Sequence, residues 1–455
     1  MNLTNMRKKL LGKQDFRLSP SRVILLGFAV SILIGAILLA LPIASTTGAS
    51  IGFLDALFTS TSAVCVTGLV VLDTAGAFTL FGEIVIICLI QVGGLGFMTF
   101  SVLIAVILGK KISLKERLLI QQSTNTISVQ GVVRLSISIF VIAFIVELVG
   151  AALLTIRWAA EMGWARAVYY GVFHSISAFN NAGFAFWPDS LTRYVGDPLI
   201  NIVISLLFII GGIGFTVILD VFRKRSWRRL TLHSRVVLLT SGLLCVVGFL
   251  VIFLIESFNS ATFGPLSWSE RLWAAYFQGT VTRTAGFNSI DIGLMLPASQ
   301  LLMIFLMFVG ASSGSTGGGI KTTTFAVLLL SIVSTVKGRT DVELMKRRIS
   351  HELILRALAV MIISLGVVLL SAFLLTLTEQ RLHKDFMELL FEATSAFGTV
   401  GMSMGVTPDL SAMGKLVMIM TMYIGRLGPL TLAFALSQKN NKQKYRYPEE
   451  KLLIG

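Results

Sequence analysis

Five stretches of this chain, 23–43, 84–109, 199–219, 236–255 and 357–378, are uninterrupted by charge and predominantly apolar. Each reaches the roughly 20 residues that a helix needs to cross the hydrocarbon of a bilayer. A backbone placed there finds no water, so its amides and carbonyls must bond to one another within helices or a closed barrel. Runs of this length select helices. The rest of the composition agrees: 55% of residues are hydrophobic and 13% are charged, against about 25% charge in a soluble domain. The reading is an all-α membrane protein. The apolar part of the first run exceeds the roughly 7–15 residues of a secretory signal, which makes it a retained first helix.

The net charge of +15 would suit a nucleic-acid partner, but its placement does not. Most basic residues fall in five clusters, at 7–22, 110–134, 223–235, 337–348 and 439–451, separated by membrane sequence. The excess of Lys and Arg on cytoplasmic loops predicts that both termini and the three loops 110–132, 221–235 and 337–351 face the cytoplasm. Anionic lipid, or an acidic partner surface, is a second reading of the same clusters. Trp158, Trp164, Trp268 and Trp273 are expected near the outer ends of helices, as an interfacial belt. Cys65, Cys88 and Cys245 lie in apolar stretches and suggest no disulfide framework. His174, His233, His351 and His383 have no metal-ligand spacing, and no nucleophile stands near a base in sequence. Nothing here predicts an enzyme.

Internal repetition is the stronger signal. One glycine per unit aligns "SAVCVTGLVV", "SAFNNAGFAF", "TVTRTAGFNS" and "SAFGTVGMSM": Gly68, Gly183, Gly286 and Gly401, spaced by 115, 103 and 115 residues. Ten residues before each stands an aromatic (Phe58, Phe173, Tyr276, Phe391), six before a hydroxyl (Ser62, Ser177, Thr280, Ser395), and next after an apolar residue (Leu69, Phe184, Phe287, Met402). A leading span, at roughly 22–43, 133–156, 234–256 and 352–377, precedes each segment, and a trailing helix follows. The short segment that leads into each glycine, about 10–12 residues, is too short to cross a bilayer. The division is a cytoplasmic N-terminal segment (1–20), repeat 1 (21–110), a cytoplasmic loop (111–132), repeat 2 (133–225), repeat 3 (226–337), repeat 4 (338–438) and a cytoplasmic tail (439–455). Two spans per unit give the units parallel orientation, unlike the inverted repeats of many carriers.

A span, a half-depth helix, an extended glycine segment and a second span form the unit of a tetrameric cation channel, here predicted as four fused helix–pore loop–helix repeats with pseudo-four-fold symmetry around one ion pore. Extended backbone survives at membrane depth only beside protein or a water-filled path. Four such segments would aim rings of carbonyl oxygens at a permeating ion. The filter residues expected on this basis are Val66, Thr67 and Gly68; Asn181, Ala182 and Gly183; Thr284, Ala285 and Gly286; and Thr399, Val400 and Gly401. The glycines of the trailing helices, in "QVGGLGF", "IIGGIGF" and "YIGRLGPL", are equally compatible with close helix packing.

These segments, with the glycine-rich stretch before Lys321, resemble the Ktr/Trk/HKT superfamily over roughly residues 20–440, and most nearly its bacterial KtrB-type membrane subunits. The resemblance implies a potassium-selective pore, a homodimer in which each protomer has its own pathway, and a cytoplasmic ring of KtrA/KtrC-like nucleotide-binding regulatory subunits. Nucleotide is thereby expected on the partner and not on this chain, with K+ as the transported ion and no other cofactor. It places the protein in the bacterial plasma membrane. Glycine at the first filter goes in that family with potassium preference and serine with sodium permeation, so Gly68 implies potassium.

The trailing helix of the third repeat is expected to be interrupted by Gly310, Ala311, Ser312, Ser313, Gly314, Ser315, Thr316, Gly317, Gly318 and Gly319, while the first two carry only scattered glycines. Each interior glycine weakens a helix by about 1 kcal/mol. This loop is read as a barrier below the filter, held by Arg426, a cation at similar depth; the resemblance puts both at gating positions. "GSTGGGIKT" nearly matches a phosphate-binding loop, but Ile320 separates Gly319 from Lys321 and no strand precedes it. Arg283 is expected to turn from the pore toward an acidic or carbonyl partner, and Glu147 to be a satisfied buried carboxylate, with Arg283 a candidate partner. The function expected is gated potassium uptake, the alternative a Na+- or H+-coupled cation carrier.

Overall fold

The computed structural model describes residues 20–96, 131–339 and 341–429 and a few positions between 99 and 121. The basic clusters at 7–17, 110–117 and 439–451, and with them most of segments 1–20, 111–132 and 439–455, lie outside the described residues. Apart from single turns, the helices are α1 (Pro20–Leu39), α2 (Phe53–Cys65), α3 (Leu80–Leu95), α4 (Val132–Met162), α5 (Trp164–Phe179), α6 (Pro198–Ile213), α7 (Phe215–Lys224), α8 (Leu232–Glu256), α9 (Trp268–Val281), α10 (Pro297–Phe308), α11 (Thr322–Val336), α12 (His351–Thr378), α13 (Phe386–Gly398) and α14 (Ala412–Leu427). Between α11 and α12, β1 (Val342–Leu344) and β2 (Arg347–Ile349) pair antiparallel, Val342 opposite Ile349.

Among the described residues, four helices are long and apolar enough to cross a membrane: Arg22–Leu39, Val133–Met162, Leu232–Glu256 and His351–Thr378, the leading spans α1, α4, α8 and α12. Each buries only 28–39% of its most apolar window. The remainder carries large apolar side chains outward, such as Ile37, Phe144, Leu254 and Ile362, each about 60% exposed. Such a face belongs in lipid. The shorter helices α2, α5, α9 and α13, of 13 to 16 residues, pack inside this perimeter and are longer than the sequence suggested. Their starts are set by local polar chemistry: Ser267 with Glu270 and Asp385 with Glu388 form capping boxes on α9 and α13. Phe58, Phe173 and Phe391 of the aromatic column are fully buried, and Tyr276 bonds its hydroxyl to Ser205 of α6 at 2.8 Å.

The trailing helices depart from expectation. Interruption is not confined to the third. α3 ends at Gly96 (φ 82°), α14 ends at Gly428 (φ 81°), and α6 bends into α7 by 97° at Gly214 (φ 103°). A left-handed φ is accessible to glycine without the Cβ clash that other residues meet there, so one glycine suffices to end the helix. The tryptophans also differ. Trp164 and Trp268 are about 70% exposed, but Trp158 is fully buried, its ring 5.2 Å from those of His174 and Trp187. Its hydropathy fitted an interface; its neighbours are core aromatics. The three cysteines are free.

Candidate functional site

The helices α2, α5, α9 and α13 all end three to five residues before their aligned glycines. In each segment the backbone turns left-handed twice, at the glycine and two residues before it: Val66 and Gly68 (φ 58° and 89°), Asn181 and Gly183 (60° and 71°), Thr284 and Gly286 (86° and 78°), and Thr399 and Gly401 (49° and 91°). A non-glycine residue costs roughly 1–2 kcal/mol in that region, so four in register mark a conformation imposed by the surroundings. The hydroxyl column helps impose it. Ser62 Oγ accepts from Gly68 N at 3.0 Å and Ser395 Oγ from Gly401 N at 3.1 Å, while Ser177 Oγ donates to Phe184 O at 2.8 Å. Thr280 instead bonds back to Tyr276 O within α9.

The four segments meet. A Cβ on Gly68 would strike the Ala182 carbonyl, one on Gly183 would lie 2.7 Å from Gly286 Cα, one on Gly286 2.5 Å from the Val400 carbonyl, and one on Gly401 would strike the Thr67 carbonyl. Gly68, Gly183, Gly286 and Gly401 therefore stand in chain order around one closed ring, with carbonyl oxygens between them. The carboxyl ends of four helices, which carry partial negative charge, converge on it. Thr67 Oγ1 and Thr284 Oγ1 are buried there without a hydrogen-bond partner among the described residues. A cavity of about 550 Å³ opens on one side, bounded by the four glycines and by Asp73, Asp189 and Asp291. Burial pushes the Asp189 carboxyl up, but bonds from Thr192 and Arg193 outweigh it and hold the group below the ordinary carboxylate value.

On the other side of the ring lies the loop from Gly310 to Gly319, between α10 and α11. Ser312 N donates to Gly212 O at 3.0 Å and Phe215 N to Gly314 O at 3.0 Å, fastening the loop at the α6–α7 bend. Gly318 N donates to Thr399 Oγ1 at 2.9 Å. The Asn181 amide oxygen accepts from Thr316 Oγ1 at 2.6 Å. A Cβ on Gly317 would strike Thr284 Oγ1. Three of the four left-handed residues beneath the ring thus touch this loop. Arg426 Nη1 donates to Thr316 O, and its Nη2 donates to Gly93 O and, at 3.3 Å, to Gly94 O of α3. The arginine ties α14, α3 and the loop together.

A model of the TrkH family, described as cation transport proteins, matches residues 26–445. The chain belongs to that family. It is therefore a multi-pass membrane transport protein and not an enzyme. It is 47% identical over 439 residues to Ktr system potassium uptake protein B of Bacillus subtilis, covering 96% of this chain and 97% of that protein. The protein of the same name from Vibrio alginolyticus is 42% identical, covering 98% of this chain and 97% of that one. Potassium/sodium uptake protein NtpJ of Enterococcus hirae is also 42% identical, covering 96% and 98%. The crystal structure of the potassium transporter TrkH from Vibrio parahaemolyticus superposes with a TM-score of 0.72 at 20% identity, over 93% of this chain and 86% of that one, and shares the fold.

Within this family member, the structure settles three features of the site that the sequence left open. Lys321, given no role in the sequence reading, donates Nζ to Gly317 O at 2.8 Å and to Gly318 O at 3.4 Å. It is the cation two residues beyond the glycine run, and that spacing was the available signal. The paired glycines of the trailing helices serve close packing, since a Cβ on Gly93, Gly211 or Gly425 would strike the carbonyl of Val64, Phe179 or Phe397, each four residues before a ring glycine. Glu147 is not paired with Arg283. Its carboxylate accepts from Gln91 Nε2 at 3.0 Å and Asn180 Nδ2 at 3.1 Å, directly behind the second segment. Arg283 turns to α8, where Nη1 donates to Ser241 O at 3.3 Å.

Proposed function

We propose that this chain mediates potassium uptake through the ring formed by Gly68, Gly183, Gly286 and Gly401. The observation that carries the reading is the closed order of these glycines, each backing onto the backbone of the next segment, with left-handed residues two positions earlier. That alternation turns successive carbonyls toward a common centre, where they replace water around a cation. The filter is assigned to residues 66–68, 181–183, 284–286 and 399–401, and the repeats to 21–110, 133–225, 226–337 and 338–438 in pseudo-four-fold arrangement. Kinship with proteins named for potassium uptake supports potassium as the ion.

The loop 310–319 is the gate in this reading, closed when Arg426 and Lys321 hold it against the lower side of the ring. A loop of glycine and small hydroxyl residues can leave that position without withdrawing a large side chain from a core. The name "Ktr system" supports a multi-component assembly; we assign this chain as its homodimeric membrane subunit, controlled by a cytoplasmic nucleotide-binding ring. Both termini and the β1–β2 hairpin face the cytoplasm, in the bacterial plasma membrane. Expression in a bacterium lacking potassium uptake, with and without a co-expressed regulatory subunit of this type, tests the reading. Growth at limiting potassium is expected, strongest with the partner; no growth in either case, with the protein present in the membrane, contradicts it.

A further inference from the structure

The bend between α6 and α7 leaves a lateral groove that ion conduction does not use. Because α7 runs at 97° to α6, it lies across the direction of the span and presents Val221 and Phe222 outward, 39% and 66% exposed. Between α7 and the flanks of α4, α6 and α8 is a cavity of about 460 Å³ lined solely by Ile, Val, Leu and Phe, including Ile145, Ile210, Ile218 and Leu238. Through Val221, Phe222 and Leu238 it continues into a second cavity of about 380 Å³, where Arg225, Ser226 and Trp227 enter the wall. An apolar channel that ends on cations has the polarity of one ligand class.

The cationic end is built and held. Asp220 accepts from Lys224 at 2.8 Å, Thr231 N at 2.9 Å and Ser234 Oγ at 2.7 Å, locking the turn between α7 and α8. Arg225 reverses the chain there with φ 49°. Arg223, Arg225, Arg228 and Arg229 are exposed and form no ion pair among the described residues. Trp227, 47% exposed, stands among them, as indoles do at the headgroup level.

We propose that this groove binds an anionic phospholipid, with an acyl chain along α4 and α6 and the phosphate held by Arg225, Arg228 and Arg229. Guanidinium groups suit a phosphodiester because they donate in a planar fork. A neutral-headgroup lipid offers the same chains but no net charge for the arginines, so the turn confers headgroup preference. An acidic soluble partner would satisfy the arginines and leave the contiguous apolar groove uncovered, which favours lipid over protein.

The test uses the full chain purified in detergent and titrated with dioleoyl phosphatidylglycerol or dioleoyl phosphatidylcholine, with retained lipid counted by native mass spectrometry. Phosphatidylglycerol is expected to be retained about tenfold more strongly, and the Arg225→Gln, Arg228→Gln, Arg229→Gln triple variant to lose that preference. Ile145→Trp, at a side chain 54% exposed and so tolerant of size, is expected to weaken retention of both lipids; Leu238→Trp repeats the test from the other wall. Excess glycerol phosphate should not displace the lipid. Undiminished phosphatidylglycerol preference in the triple variant overturns the proposal, as does displacement by glycerol phosphate or full retention in both groove-filling variants. A triple variant that keeps the lipid and loses a soluble cytoplasmic partner instead identifies a protein-docking surface.

Discussion

Replacing Arg426 by glutamine shortens the side chain and removes its charge, and the bond that matters is the one to the loop. Of its three carbonyl acceptors, Gly93 O and Gly94 O belong to α3 and stay in place whichever position the loop takes; Thr316 O belongs to the loop. A hydrogen bond from a charged donor contributes roughly 1.5–3 kcal/mol. Since about 1.4 kcal/mol is a tenfold change in an equilibrium, losing it shifts the balance of closed and open loop by roughly 10- to 100-fold toward open. The loop does not fall free, because Ser312 N to Gly212 O (3.0 Å), Gly318 N to Thr399 Oγ1 (2.9 Å) and Lys321 Nζ to Gly317 O (2.8 Å) remain. Flux should therefore rise within that bound, and Arg426→Gln with Lys321→Met should exceed either alone. The assay is potassium flux into liposomes reconstituted with equal amounts of each variant. Arg426→Gln protein that inserts normally and conducts no faster refutes the assignment of this arginine as the latch.

Other consequences are as direct. Shortening residues 312–318 should raise maximal potassium flux with little change in the ratio of potassium to sodium flux, measured in the same liposomes. Glu147→Ala leaves the Gln91 amide donor without its buried acceptor, at about 1–3 kcal/mol, while Asn180 Nδ2 keeps Gln91 Oε1 and Ile176 O; its unfolding midpoint should fall further than that of Glu147→Gln, which keeps one acceptor. Joint replacement of Asp73, Asp189 and Asp291 by Asn retains side chains able to cap but removes the vestibule charge, so uptake should fall at low ionic strength and converge with the parent protein at high salt. With Asp189 alone retained, the residual vestibule effect should persist as pH falls through the ordinary carboxylate range, because its lowered value keeps it ionised there. A cysteine at Lys346, in the β1–β2 turn, should react with an impermeant reagent only from the cytoplasmic side.

The parts of this molecule legible in its sequence were those that repeat. Four glycines with an aromatic ten residues earlier and a hydroxyl six earlier stood out in one chain because chance does not align four columns four times, and Ser62 and Ser395 prove to bond their glycines directly. The glycine-rich loop was visible as a run too weak for helix. Features whose local signal fits two roles were misread. Single glycines at Gly96, Gly214 and Gly428 end helices, but one glycine in an apolar run costs too little to distinguish a break from a packing site. Trp158 carried no sign of the aromatic cluster that buries it. The partners of Glu147 lie 56 and 33 residues away, on α3 and just past the end of α5, a distance that no local pattern spans.

The ring itself is tested most directly at Gly68. Its φ of 89° and the Ala182 carbonyl that a Cβ would strike leave no room for a side chain without opening the ring. Potassium and sodium fluxes into liposomes, compared for the parent protein and Gly68→Ser at matched reconstitution, measure whether this backbone selects the ion. The account predicts that the parent favours potassium and that Gly68→Ser loses much of that preference, with sodium flux rising relative to potassium. Equal potassium-to-sodium ratios in the parent and in serine variants at Gly68, Gly183, Gly286 and Gly401 would contradict it.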